Sequence, residues 1–171
     1  MKSLYNIGLR NEGSDSYYTP RWITDKFPDV FNHQPYVDPC PGNREQSPMV
    51  NVLPLTNLNG LETDWSSYSL LSFVNPPFSD ISSWLEHASL QSDQGHTSLF
   101  FCKLDYRTKW FEIMSEVSEW IIPVTGYVKF EREDMSEHLS ATFQMCFCQI
   151  GTKVDLKPRV ISAYANRLYL K

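Results

Sequence analysis

The order of apolar patterns along this 171-residue chain predicts an α/β fold: a three-layer architecture around a mainly parallel sheet, with a late antiparallel strand or hairpin. Three observations carry the prediction. Short apolar runs recur at residues 70–74, 97–102 and 119–124, each the length of a buried strand. Between them lie two stretches at helical spacing: Ile81, Trp84, Leu85 and Ala88, then Trp110, Phe111, Met114 and Val117. A last long run, 142–150, follows a charged loop and stops at Gly151. The spacing shows no repeat and no linker, so residues 1–171 read as a single domain.

Taken in order, residues 1–16 are polar and read as loop, either a mobile arm or the lip of a site. Thr19 is placed to cap a helix whose first position is Pro20, with Trp22, Ile23 and Phe27 on one face. The free N–H groups at such a helix start can receive a carboxylate. A plain capped helix accounts for the same segment. Next, Tyr36-Val37-Asp38-Pro39-Cys40-Pro41-Gly42 reads as a short strand ending in an acid and a Pro/Gly turn. Asp38 can pair with an ammonium or hydroxyl, and Gly42 lets backbone approach a ligand closely. Asp-Pro turns are common on their own account. Residues 43–60 are polar and turn-rich, with no clear helix. Asp64 then falls shortly before the next strand, either beside the loop that follows it or as a surface turn acid.

The most informative stretch is Leu70-Leu71-Ser72-Phe73-Val74-Asn75-Pro76-Pro77-Phe78. Pro76 and Pro77 cannot donate to a ladder, so the strand must stop there. Each proline also holds the residue before it extended. The result is a stiff loop at the carboxyl end of a buried strand, where ligands sit in open α/β sheets. Such a loop offers fixed carbonyl oxygens, the Asn75 amide oxygen and the flat face of Phe78. Together these suit a planar –NH2 group on a planar ring. Ser79 and Asp80 can cap the helix that follows, and residues 91–95 end it. After the strand at 97–102, Lys103, Arg107 and Lys109, with Tyr106 and Trp110 among them, form the best local basic cluster. Phosphate contact and a solvated loop both fit it. Residues 126–130 alternate into another short strand, 131–137 read as a charged loop, and the tail reads as either helix or strand.

Composition sets the remaining bounds. Hydrophobic residues make up 42 % and charged residues 20 %, which fits a folded soluble protein. No apolar run approaches the roughly 18 residues of a membrane span. Cys40, Cys102, Cys146 and Cys148 show no metal-ligand spacing, so reduced core thiols of a cytosolic protein are expected and no metal. The net charge of −5 argues mildly against nucleic acid, but binding needs a basic face rather than a basic protein.

The set Thr19-Pro20, Asp38-Pro39-Cys40-Pro41-Gly42, Asp64-Trp65 and Asn75-Pro76-Pro77-Phe78, with Thr108-Lys109-Trp110 and Gly126-Tyr127-Val128-Lys129-Phe130 downstream, resembles the small phage-type Dam-like DNA N6-adenine methyltransferases. The resemblance covers most of the chain from Tyr17 to Ile150. It implies a Rossmann-like class I methyltransferase fold that uses S-adenosylmethionine and acts on DNA. By that likeness Asp38, Pro39, Cys40 and Gly42 lie beside the methionine part of the cofactor. Tyr18, Thr19 and Pro20 flank its carboxylate, and Asp64 contacts the adenosine. Asn75 and the Pro76 carbonyl take the target amine, Pro77 stiffens the loop, and Phe78 stacks on a flipped base. On the DNA reading, the basic cluster Lys103, Arg107 and Lys109 is where phosphate contact is expected. The likeness also implies protection of phage DNA from restriction, inside a bacterial cytoplasm. The turn has one glycine where related enzymes often have more, and no acid clearly matches the ribose-binding one. No segment is long enough for a separate target-recognition domain. Amino-group transfer to RNA or protein, or a non-catalytic module of the same fold, are the alternatives.

Overall fold

Pro28 decides how the first described segment folds. The sequence reading has Trp22, Ile23 and Phe27 on one helix, but the computed structural model has two: α1 (Arg21–Thr24) and α2 (Phe27–Phe31). A proline cannot donate to the carbonyl four residues back, here that of Thr24, and its ring collides with it. The first helix therefore ends at Thr24, and Pro28 falls in the first turn of the second. Asn32, in the left-handed region at φ 56°, ends α2. Ile23, Phe27, Val30 and Phe31 are nevertheless buried together. The structure describes residues 18–42, 52–131, 137–140, 143–156, 161–164 and 167–170. The arm expected at 1–16 and most of the charged loop expected after Glu131 lie outside them.

The strands follow as β1 (Val37–Asp38), β2 (Leu53–Pro54), β3 (Leu71–Val74), β4 (Thr97–Lys103) and β5 (Trp120–Thr125). Then come β6 (Lys129–Glu131), β7 (Glu137–Ser140), β8 (Met145–Ile150), β9 (Ile161–Tyr164) and β10 (Arg167–Leu170). Helix α3 (Ile81–Asp93) joins β3 to β4, and α4 (Lys109–Val117) joins β4 to β5. Eight strands form one sheet in the order β10-β9-β5-β8-β4-β3-β1-β2, while β6 and β7 pair separately. The pairs β2·β1, β1·β3, β3·β4 and β5·β9 are parallel. Strand β8 inserts antiparallel between β4 and β5, and β10 closes the edge antiparallel to β9. The predicted α/β sheet with its late antiparallel strand is present. The tail is a hairpin of strands, and a short edge strand, β2, falls where the sequence reads as turns.

Two cores give the sheet its three layers. Side chains alternate across a strand, so Phe73, Leu99, Phe101 and Phe147 face α1 and α2. Val74, Phe100, Cys102, Cys146 and Cys148 face α3 and α4, where Ile81, Trp84, Leu85, Ala88 and Met114 meet them. A strand buried on both faces reads as an unbroken apolar run, which is why β3, β4 and β8 stand out in the sequence. All four cysteines are free and buried. Hydrogen bonding to Cys146 and Cys148, together with burial, pushes the Cys102 thiol well above its ordinary range. It therefore behaves as a packing group. Among the described residues no helix is long and apolar enough to cross a membrane.

The strand directions give the sheet two unlike edges. The carboxyl ends of β1, β3, β4 and β5 share one. At the other, the amino edge, His96 is 1 % exposed between the Ser69 carbonyl, 3.0 Å from Nδ1, and the Ser72 hydroxyl, 3.0 Å from Nε2. Burial lowers its pKa to about 4; the Ser69 carbonyl and the Asp64 charge pull it upward but do not win. Its ring packs edge-on to Trp65.

Candidate active site at the carboxyl edge

Register places the predicted residues before any contact is considered. Val37 pairs with Ser72 and Val74 with Phe100. Continuing those ladders sets Cys40 level with Asn75, and Pro77 level with Lys103. Lys103 pairs in turn with Met145, which pairs with Val124. The Asp38 turn, the Asn75 loop, the end of β4 and the end of β5 therefore form one row along the carboxyl edge. Neighbouring strands are about 4.8 Å apart, so the Asp38 turn and the Asn75 loop are adjacent.

Asn75 is 3 % exposed, and its Nδ2 donates to the Thr19 hydroxyl at 2.8 Å. Thr19 was expected to cap the first helix. Instead Pro20 holds the cap position in extended conformation, with no side-chain cap. Thr19 spends its hydroxyl on Asn75 because the chain entering α1 passes beside the β3 loop. The contact fixes the rotation of the amide: Nδ2 faces Thr19 and Oδ1 faces the other way as an acceptor. Pro76 and Pro77 are buried, and the Pro77 carbonyl accepts from Asp80 N at 3.0 Å, turning the chain into α3. Phe78 is half-buried. It meets Phe143 at 5.1 Å and Phe130 at 6.2 Å, both edge-to-face, so neither of those rings lies parallel to it.

The Asp38 turn is equally well held. Asp38 is buried, and its Oδ1 accepts from Cys40 N at 3.0 Å. Pro39, Cys40 and Gly42 are buried too, and Gly42 adopts φ 71°, which favours glycine. Gly60, which the sequence reading passed over, packs under this turn. A Cβ there would lie 2.2 Å from the Pro39 carbonyl oxygen and 2.6 Å from Trp84 Cη2. Only glycine lets residues 59–62, the turn after β1 and the start of α3 come together.

At two places the expected cofactor residues are engaged by the protein's own groups. Trp65 N donates to Gln91 Oε1, near the end of α3, which puts Asp64 toward the amino edge, nearly three helical turns along α3 from the Asn75 loop. Its carboxylate caps the short 3-10 helix Trp65–Ser67, accepting from Ser66 N, Ser66 Oγ and Ser67 Oγ. Those hydroxyl bonds hold its pKa below the usual value. Asp64 is therefore a turn acid, as the plainer reading had it. At α1, the N–H of Arg21 is taken by the Glu131 carboxylate at 3.0 Å. Tyr18, buried, exchanges both backbone hydrogen bonds with Glu131. Tyr18 and the Arg21 N–H thus anchor this segment to β6, with Pro20 between them, and the Arg21 N–H at the expected carboxylate seat is taken by the protein's own acid.

The basic residues divide. Lys103 Nζ lies 5.2 Å from the centre of the Phe143 ring, on the row that holds the loop. Arg107 pairs with Asp105 through Nε and Nη2 within its own turn, which offsets most of its charge and lowers the Asp105 pKa. Lys109 is exposed at the first position of α4, capped by Thr108. A helix start disfavours a cation, so local structure does not explain a lysine there. A cavity of about 290 Å3 lined by Glu119, Trp120, Gln149, Thr152, Asp155 and Leu156 opens at the amino edge, away from these groups.

For S-adenosylmethionine, the residues present fit at the Asp38–Gly42 turn. There a buried carboxylate and close-packed backbone adjoin the Asn75 loop. They do not fit at Asp64 or at the start of α1. Compared with known proteins, the chain matches the family model described as DNA N-6-adenine-methyltransferase (Dam) over residues 8–171. A search of curated proteins by sequence finds no match.

Proposed function

This chain belongs to the DNA N-6-adenine-methyltransferase (Dam) family, and from that premise we propose that it moves a methyl group from S-adenosylmethionine to the N6 amine of an adenine flipped out of DNA onto the Asn75–Phe78 loop. The observation that carries this reading is the buried Asn75 amide, turned by Thr19 on the strand next to the Asp38 turn.

The chemistry follows from the target. The N6 lone pair of adenine is conjugated into its ring, so the amine is a weak nucleophile. Asn75 Oδ1 and the Pro76 carbonyl accept its two hydrogens and favour a more tetrahedral nitrogen. The bound cofactor supplies an electrophilic methyl on a sulfonium centre. Asp38 and the turn to Gly42 hold its methionine part beside the loop. Phe78 presents a ring to the base, and Phe130 and Phe143 brace that ring edge-on. No side chain serves as a covalent nucleophile, so the rate rests on positioning and on excluding water. A base inside a duplex cannot reach a buried loop, so it leaves the stack at a cost of a few kcal/mol. Lys103 and Lys109 supply charge for the phosphates that flank it.

The test is transfer from labelled S-adenosylmethionine to unmodified DNA, with nucleoside analysis of the product. The parent protein is expected to form N6-methyladenine. Asn75→Ala should lose about a hundredfold or more in kcat while binding cofactor within a few-fold of the parent. Unchanged transfer by Asn75→Ala would remove the loop from the mechanism.

A further inference from the structure

Tyr106 and Tyr127 are 78 % and 72 % exposed, the two highest values among the exposed large hydrophobic residues of the described chain. Both follow strands that end on the row holding Asn75: Tyr106 comes after β4 and Tyr127 after β5. Neither position is an accident of a loose loop. Tyr106 stands between Asp105 and Arg107, whose ion pair closes its turn, and Thr108 N bonds back to the Asp105 carbonyl. Tyr127 follows Gly126 at φ 95°, and its neighbour Val128 is 1 % exposed while Phe130 is fully buried. Period-two alternation then sends Tyr127 and Lys129 outward together. An exposed tyrosine ring presents apolar area to water, and two of them beside a site call for a partner with flat faces.

We propose that Tyr106 and Tyr127 are stacking platforms for nucleobases that neighbour the flipped adenine on one side of the Asn75 loop; this rests on the DNA reading given above. Electrostatics alone is a weak source of affinity here. The basic cluster after β4 is small, and its Arg107 is paired with Asp105. Every base has a π-face, so stacking gains affinity without basic charge and without sequence readout. The rows place the two rings unequally. Tyr106 follows the strand next to the Asn75 loop, and Tyr127 follows a strand three positions away, about 14 Å across the sheet. They thus serve different nucleotides of one strand and contribute separately.

The experiment uses an oligonucleotide that the parent protein methylates, and measures Kd, the salt dependence of Kd, kcat and cofactor affinity. Tyr106→Ala and Tyr127→Ala should each weaken DNA binding about tenfold. Tyr→Phe at either position should keep parental affinity. The slope of log Kd against log salt, kcat and cofactor affinity should stay as in the parent, because no phosphate contact is lost. Parental DNA affinity in both alanine variants overturns the proposal. So does a phenylalanine variant as weak as alanine, which assigns the contact to the hydroxyl and not to the ring. A parent protein that methylates no DNA overturns the proposed function as well, and that outcome is read before any variant is made.

Discussion

Gly60→Ala tests whether the turn after β1 and the start of α3 are locked to each other. The added methyl would sit 2.2 Å from the Pro39 carbonyl oxygen and 2.6 Å from Trp84 Cη2. Real Cβ contacts essentially never fall under 3.0 Å, so both walls must give, the carbonyl by the better part of an ångström. Trp84 is fully buried and stacked on Trp65 at 6.1 Å, on the helix that leaves the Asn75 loop. The Pro39 carbonyl belongs to the turn that Asp38 Oδ1 ties to Cys40 N. The carbonyl is the nearer of the two atoms, so the turn takes the larger displacement. Overpacking of this kind costs about 1–3 kcal/mol, which in a chain of this size lowers Tm by roughly 3–8 °C. The displaced turn should also weaken S-adenosylmethionine binding about tenfold or more, by the sensitivity of held geometry to such shifts. Thermal unfolding and titration calorimetry read the two effects separately. If Gly60→Ala matches the parent in both, the close approach does not constrain the turn, and the role given to Gly60 is wrong.

Thr19→Val removes the acceptor for Asn75 Nδ2 inside a buried site, at a cost of about 1–3 kcal/mol; kcat for methyl transfer should fall at least tenfold with cofactor affinity little changed, and a variant with parental kcat would show that the amide needs no such support. His96 gives a pH signature. Its folded pKa of about 4 lies below the ordinary 6.5, so between those values the unfolded chain takes up a proton that the folded chain refuses. Stability therefore falls as pH drops from 6.5 toward 4, by an amount on the order of 3 kcal/mol, and this contribution is complete above 6.5. Denaturant unfolding of the parent and of His96→Gln across that range should show a steeper decline for the parent; parallel curves would exclude His96 as the source.

Burial on both faces is what made the fold legible. Strands β3, β4 and β8 carry apolar residues at both parities, and α3 shows its inward stripe at Ile81, Trp84, Leu85 and Ala88. The Asn75 loop was legible because two prolines after an apolar run leave the backbone few options. Contacts between distant segments were not. Nothing local marks Thr19 as the partner of Asn75, 56 residues away. A threonine before a proline satisfies the capping pattern equally well. Asp64 stayed open between two readings because sequence distance from the loop says nothing about which edge it reaches. Its chain runs along α3 from Gly60, near Trp84, to Trp65, at Gln91. Serines at 66 and 67 were the available sign that it caps its own turn. Gly60 gave no signal beyond being a glycine, since its reason is a carbonyl from another turn.

The net charge of −5 looks like an argument against a DNA enzyme until the charges are placed. Among the described residues, Asp64, Asp93, Glu116, Glu119 and Asp155 lie toward the amino edge, at the ends of α3, α4 and β8 or just before β5. Lys153 is a basic exception there. The carboxyl edge holds Lys103, Lys109 and Lys129, with Arg21 at the start of α1 and Arg107 paired to Asp105. Of the acids there, Asp38 accepts from Cys40 N, Asp80 from Ser83 Oγ and Glu131 from Arg21 N, while Glu112 lies in the first turn of α4. The two edges are separated by the length of β4, seven residues at about 3.3 Å each, or roughly 23 Å. That is more than twice the Debye length of about 8 Å at physiological salt. A phosphate arriving at the Asn75 loop therefore responds to the lysines beside it, and the distant carboxylates are screened. On the proposed function, the excess acid would repel DNA from the amino edge and act little on the carboxyl edge.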